Sequence, residues 1–158
     1  MGLGKLKDLH IAKQNRQMVF NEILSGTITY QSIHTSRYLS LIENRFAPLA
    51  CIEQLLDDNR LVFRYSKKRN QFSLIEADYL LSTPLYKNDI YLFLARNNDN
   101  SSYFCRSFFP KENIDYSKGQ AVYTLLYKEK TYLSTGETIV QYDRLMPKET
   151  KNKKTDGK

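Results

Sequence analysis

RLVFRYSKKRNQFSLIEADYLLSTPLYKNDIYLFLARNNDNSSYFCRSFF, residues 60–109, is the stretch that decides the fold. In its first run, Leu61, Phe63 and Tyr65 alternate with Arg60, Val62, Arg64 and Ser66, the period of two that sends successive side chains to opposite faces of a strand. One face of that run is basic. The segments KKRNQF and NNDNS are rich in turn formers and punctuate the pattern. Similar runs continue downstream, with STGE as another turn, and the reading predicts strands over residues 60–66, 73–81, 89–96, 102–109, 121–128 and 138–145. Connections this short join antiparallel neighbours, because a parallel crossover needs about a dozen residues or more and usually a helix.

Upstream of residue 60 the period is helical. Leu6, Leu9, Ile11, Met18, Val19, Phe20, Ile23 and Leu24 recur at helical spacing in one helix or two, and Gly26 is placed to stop the last turn. A helix of about two turns is expected over residues 29–35, with Thr29 as its cap. Ser36 opens a longer pattern through Leu39, Leu41, Ile42, Phe46, Leu49, Ile52, Leu55 and Leu56, which Pro48 kinks or divides. It ends at the turn cluster Asp57-Asp58-Asn59. The expected architecture is a single α+β domain over residues 1–147, helical over 5–57 and stranded over 60–145. Its N-terminal helices pack on a five- to six-stranded antiparallel β-meander.

Composition narrows the class further. The chain has 158 residues, 41% of them hydrophobic, with 6 Gly, 4 Pro and 20 aromatic residues (12 Tyr, 8 Phe), which fits neither a disordered nor a fibrous chain. No apolar run approaches the ~20 residues of a membrane span, and the start MGLGKLKDLH has no stretch suited to a signal peptide. A cytoplasmic protein without membrane attachment is expected. Cys51 and Cys105 form no CxxC pair, so a disulfide framework and a thiolate zinc site are both disfavoured and two buried thiols are expected. The net charge of +7 includes +3 from the Lys-rich stretch 148–158, which has no apolar residue and is expected to be a disordered tail. The remaining +4 favours a polyanionic partner through long-range attraction.

Enzyme motifs are mostly missing. There is no GxxxxGK[ST] or GxGxxG, and His10 and His34 lie outside any HExxH or carboxylate cluster, so neither a metal nor another cofactor is expected. Metal-free ribonuclease chemistry needs no linear motif. A base takes the 2'-hydroxyl proton, an acid protonates the 5' leaving oxygen, and Arg or Lys offsets charge on the phosphorane. Arg106 shares its predicted strand face with Phe104 and Phe108, so either a structural ion pair or an anion-binding role is open to it. Glu76, Asp78 and Asp143 are the candidate partners. Tyr127 and Lys128 would meet Arg106 or Ser107 if their strand pairs beside that one.

The blocks RQMVFNEILSGTITYQSI, LVFRYSKKRNQFSLIEADYLL, NDIYLFLARN, YFCRSFFPK, DYSKGQAVYTLLYKEK and TGETIVQYDRL together resemble the phage barnase-EndoU-colicin-RelE-like nuclease domains, fourth subgroup, in order and spacing. The resemblance covers most of the chain. It implies a helix-then-meander fold, a phage or other mobile-element setting in a bacterial cell, and RNA cleavage without metal. It places Tyr103, Arg106 and Ser107 on a recurrent polar strand of the family and Tyr127 and Lys128 on the strand that follows. The chain departs from the family at its start: members carry an upstream strand and a His-Leu-x-Gly-Leu segment, whereas here the sequence opens Met1-Gly2-Leu3-Gly4 without the matching His. His10 is the candidate substitute.

The function expected from these readings is a metal-independent endoribonuclease-like domain. Arg106, Ser107, Tyr127, Lys128 and His10 are its candidate catalytic residues, and Arg64, Lys67, Lys68 and Tyr103 its candidate RNA-binding residues. RNA is the expected partner, with a host or phage protein as a further possibility. The alternatives are an inactive nucleic-acid-binding relative and a protein-binding accessory factor, such as an inhibitor of a host nuclease. Arg106 locked to a buried carboxylate would favour those alternatives; Arg106 in an open cleft favours the ribonuclease.

Overall fold

The computed structural model describes residues 2–57, 61–70, 73–85, 88–99 and 101–146. Asp58 and Asn59 of the expected turn, Arg60 at the expected strand start, and the Lys-rich stretch 148–158 lie outside the described residues.

The N-terminal third folds as short helical pieces rather than long helices. Two 3-10 turns, Leu3–Lys5 and His10–Lys13, precede α1 (Arg16–Leu24), whose first turn is capped by Asn15: its Oδ1 accepts the Gln17 N–H at 2.8 Å. Gly26, at φ 75°, takes the left-handed conformation that ends this region, as expected from its position. In α2 (Tyr30–Ile33) Thr29 is the cap, and Ser32 answers it in a reciprocal capping box. The longer pattern after Ser36, expected to be kinked or divided at Pro48, is divided there and also earlier: two 3-10 turns, Leu39–Leu41 and Glu43–Arg45, are followed by α3 (Phe46–Leu49) and α4 (Ile52–Asp57). Pro48 sits in the first turn of α3, where its missing N–H is tolerated, and the break falls after it. Leu6, Ile33 and Ile42 form the buried centre of these pieces, with Leu9, Ile28, Tyr38, Leu39 and Phe46 around them.

The strands are β1 (Val62–Arg64), β2 (Tyr79–Leu85), β3 (Asn88–Arg96), β4 (Tyr103–Pro110), β5 (Ala121–Tyr123), β6 (Tyr127–Thr131) and β7 (Thr138–Asp143). The first five form one antiparallel sheet in the order β4-β3-β2-β1-β5, and the last two form a separate hairpin. The α+β class with helices first is therefore present. β1 to β4 form the expected meander, while β5 returns to pair with β1.

Two expected strands change shape for identifiable reasons. The run 121–128 is not one strand, because β1 offers β5 a partner only from Val62 to Arg64; beyond Tyr123 the chain leaves this sheet and pairs anew with β7. The run 73–81 becomes a strand only at Tyr79. Before it, Ser73 accepts the Tyr65 hydroxyl and the Ile75 N–H at its Oγ, so side-chain bonds replace a ladder there.

Each face of the five-stranded sheet carries its own core. On one, Phe63, Tyr65, Leu80, Tyr91 and Phe93 are buried with Phe109 and Tyr116 against them. On the other, Ile90, Leu92 and Phe108 pack on Leu55, Leu49 and Ile52 of α3 and α4. Residues 111–120 cross the first face to carry the chain from β4 to β5. Asp115 anchors this crossing: it accepts the Tyr91 hydroxyl at 2.9 Å, the Ser117 hydroxyl at 2.6 Å and the Lys111 ammonium at 2.8 Å.

That anchor makes stability depend on pH. Lys111, then Ser117, hold the Asp115 carboxyl well below the usual carboxylate range, and Asp115 raises the Lys111 ammonium to about 12. A depressed carboxylate stabilises the fold above its unfolded value of about 3.9, and loses that contribution as pH falls toward the folded value. The raised Lys111 contributes below its unfolded value of about 10.4 and loses it on the alkaline side. The chemical-denaturation midpoint should therefore drop between pH 5 and pH 3, and Asp115→Asn should flatten that drop while lowering the midpoint at pH 7. An unchanged pH slope in Asp115→Asn would show that other carboxylates govern acid unfolding.

Candidate nucleic-acid interface

An open cleft of about 750 Å3 runs between β4 at the sheet edge and the N-terminal helical pieces. β4 supplies Phe104, Cys105, Arg106, Ser107 and Phe108; the opposite wall is built from residues 2–5, Ile11, Gln14, and Arg16, Val19, Phe20 and Ile23 of α1. Arg45 also lines it. These positions explain why α1 leaves apolar residues in solvent, including Phe20 at 54% exposure: the helix borders the cleft instead of sealing it.

Local structure at Arg106 differs from simple alternation. Phe93 pairs with Ser107 and Leu94 with Cys105, which leaves Arg106 as the extra residue of a β-bulge. It therefore no longer shares one regular face with Phe104 and Phe108. A bulge re-aims the side chain it carries, and here that side chain lines the cleft. The three carboxylates considered as its partners are engaged elsewhere: Glu76 with Lys67, Asp78 with Arg64, and Asp143 as acceptor of the Leu145 N–H. Among the described residues Arg106 has no ion-pair or hydrogen-bond partner.

The electrostatics of the cleft are one-sided. Lys5, Arg16, Arg45 and Arg106 line it, and no Asp or Glu does so among the described residues. Arg45 is held over the Phe109 ring at 5.5 Å, and its buried Nε has no hydrogen-bond partner there. Burial lowers its pKa, with Glu112 opposing, yet a guanidinium stays charged at any ordinary pH. A buried donor without a partner is costly and is relieved by an anion. Gly2 enters against this side chain: at φ 87°, a Cβ there would lie 3.4 Å from the Arg45 guanidinium and 3.3 Å from Ile42.

The other residues singled out from the sequence are distributed differently. Ser107 is in the cleft beside Arg106. Tyr127 and Lys128 pair with Asp143 and Tyr142 on the β6–β7 hairpin, so they do not meet β4 through the strand pairing expected of them. The Tyr127 hydroxyl donates to Glu129, which raises its pKa, and the Lys128 ammonium donates to the Leu56 carbonyl of α4. His10 opens into a neighbouring depression with Glu22; Ile11 and Gln14 form the wall common to both. Arg64 is paired with Asp78 at 3.2 Å, and Tyr103 accepts two hydrogen bonds from Arg96. Lys67 and Lys68 lie on the 3-10 turn that follows β1.

Neither cysteine is buried as expected. Cys51 is half-buried and Cys105 is exposed on the edge strand, its thiol pushed up by the surrounding protein, which disfavours the nucleophilic thiolate. Sequence reading missed Lys5, Arg16 and Arg45. Arg45 carried a signal, lying three residues after Ile42 on the helical period of the apolar positions, where a charged side chain is directed inward. Among the described residues no group of three His, Cys, Asp or Glu is arranged to hold a metal, and no helix is long and apolar enough to cross a membrane.

The family model described as phage-Barnase-EndoU-ColicinE5/D-RelE like nuclease4 matches residues 1–145. No curated protein and no solved structure matches the chain.

Proposed function

Because the chain belongs to this phage barnase-EndoU-colicin E5/D-RelE-like nuclease family, we propose that the cleft beside β4 binds RNA and cleaves it without metal, by attack of the 2'-hydroxyl on the adjacent phosphate. The observation that carries this reading is the cleft's charge: four cationic side chains, no acid among the described residues, and two guanidiniums, Arg45 and Arg106, with donors to spare. Phosphate oxygens are the anions such forks match.

In this reading Arg106 and Arg45 hold the scissile phosphate and stabilise the additional charge of the phosphorane. Ser107 donates a hydrogen bond to a phosphate oxygen. The outer backbone groups of β4, an edge strand, add donors to the same rim. Lys5 and Arg16 carry the flanking phosphates. His10, whose depression shares a wall with the cleft, is given both proton steps. The neutral imidazole takes the 2'-hydroxyl proton as the 2'-oxygen bonds to phosphorus, and the imidazolium returns a proton to the 5'-oxygen as the P–O5' bond breaks. Tyr127 and Lys128 are left out of this centre. A bacterial cytoplasmic setting, where RNA is abundant, suits the activity.

A second reading, RNA binding without turnover, is favoured by one observation: no imidazole or carboxylate lines the cleft itself among the described residues. Incubating labelled tRNA and mixed RNA with the chain in excess chelator separates the two. The ribonuclease reading expects fragments ending in 2',3'-cyclic phosphate, and a loss of about 10²–10⁴-fold in His10→Ala if His10 moves the proton. An unchanged rate in His10→Ala would remove that residue from the mechanism. Salt-sensitive binding with no fragments would establish the second reading.

A further inference from the structure

One end of the five-stranded sheet carries an aromatic and cationic strip outside the cleft, with one residue from every strand. Tyr123 comes from β5, Arg64 from β1, Tyr79 from β2, Arg96 from β3 and Tyr103 from β4. Arg64 pairs directly with Tyr79 and Arg96 with Tyr103, so the register puts these side chains on one face. The rings are contiguous: Tyr79 is 6.0 Å from Tyr123 and 5.5 Å from Tyr103. Guanidiniums lie over the rings, Arg64 at 5.2 Å from Tyr79 and Arg96 at 5.5 Å from Tyr103.

Asp78 organises the strip from behind. It pairs with Arg64 at 3.2 Å and accepts the Arg96 backbone N–H at 2.9 Å. The Arg96 guanidinium itself donates to the Tyr103 hydroxyl at 2.9 and 3.2 Å and has no carboxylate partner among the described residues. Tyr103 and Tyr123 are nonetheless 41% and 47% exposed. Rings kept in water, held by cross-strand neighbours and bordered by two guanidiniums that share the charge of the one Asp78 carboxylate suit flat π systems joined to phosphate.

From this juxtaposition we infer that the strip Tyr123, Tyr79, Tyr103, Arg64 and Arg96 is a stacking platform for unpaired bases, which makes single-stranded RNA the substrate class of the neighbouring cleft. The inference rests on the nucleic-acid reading of that cleft. Continuity supports it: Tyr103 precedes Arg106 by three positions on β4, about 10 Å along a strand, so a strand of RNA lying across the platform delivers its backbone to the cleft. A paired duplex keeps its base faces stacked on one another and cannot use the rings.

The test measures binding of the full chain to a single-stranded 2'-O-methyl oligoribonucleotide, which has no free 2'-hydroxyl to attack. The same oligonucleotide with abasic positions and a duplex of equal length are measured beside it. Tyr103→Ala and Tyr123→Ala, with folding checked by circular dichroism, should each weaken binding of the intact single strand by about 5- to 150-fold for a stacked base. They should leave the abasic and duplex forms unchanged, and Tyr103→Phe and Tyr123→Phe should retain most of the affinity. Equal affinity of the parent for intact and abasic strands, or equal losses on both in the Ala variants, would overturn the platform. Binding by the parent to none of the three would overturn it as well, as would full affinity in the Ala variants, the result expected if the strip serves a protein. Cleavage is scored separately on unmodified RNA. A chain that discriminates abasic strands but cleaves nothing keeps the platform and loses the ribonuclease; one that cleaves without discrimination does the reverse.

Discussion

Arg106→Ala is expected to lower RNA cleavage by about 10²–10³-fold, the usual effect of deleting one preorganised donor to a developing oxyanion. The loss should fall on kcat, because the phosphorane carries more charge than the bound diester and only the interaction that strengthens in the transition state is missing. Affinity should fall much less: one phosphate contact removed reduces the salt slope of binding by about one unit. Folding should be unaffected, since Arg106 is exposed and has no partner among the described residues. Arg106→Lys keeps the charge but loses the planar fork, so partial activity is expected from it. If Arg106→Ala cleaved as well as the parent, the bulge on β4 would have no catalytic purpose, and the reacting phosphate would have to lie elsewhere.

The second large effect is on the fold. Phe93 is fully buried, and its ring meets Tyr65 at 5.0 Å, Tyr116 at 5.5 Å, Phe109 at 5.6 Å and Tyr91 at 6.3 Å. Removing such a ring leaves a cavity that four aromatic neighbours cannot close, so Phe93→Ala should destabilise the protein by about 3–5 kcal/mol. That is a large share of the roughly 5–15 kcal/mol that holds a domain together. The same residue pairs with Ser107 beside the bulge, so whatever folded protein remains should also place Arg106 poorly. Urea unfolding monitored by circular dichroism measures the first effect, and cleavage per folded molecule measures the second. A change below about 1 kcal/mol would show that this aromatic cluster is not the centre of the core.

The sequence made the strand half legible because its signals are local. β3 and β4 were expected over 89–96 and 102–109 and lie at Asn88–Arg96 and Tyr103–Pro110, where alternation, turn residues and length all agree. The division after Tyr123 was not legible, since it depends on where β1 stops offering partners, a fact of pairing rather than of the run itself. The bulge at Arg106 was equally hidden. Nothing in YFCRSFF marks which residue is extra until the partner strand fixes the register.

Helical periodicity misled in the other direction. The apolar pattern after Ser36 was expected to be interrupted only at Pro48, but the chain also breaks it earlier, into short pieces that pack around Leu6, Ile33 and Ile42. Of the candidate site, Arg106 and Ser107 could be singled out in the sequence and line the cleft, while Lys5, Arg16 and Arg45 reach it through the packing of those pieces. Arg64 and Tyr103 were singled out separately for RNA. Only the sheet shows that Tyr79 and Arg96 connect them.

The most direct test of the central claim uses an RNA oligonucleotide with one mapped cleavage position, and the same oligonucleotide carrying a single 2'-deoxy nucleotide on the 5' side of that bond, both in excess chelator. Cleavage of the first with a 2',3'-cyclic phosphate end, and none at the substituted position of the second, is expected. Equal cleavage of both, or cleavage that requires added divalent metal, would contradict that claim.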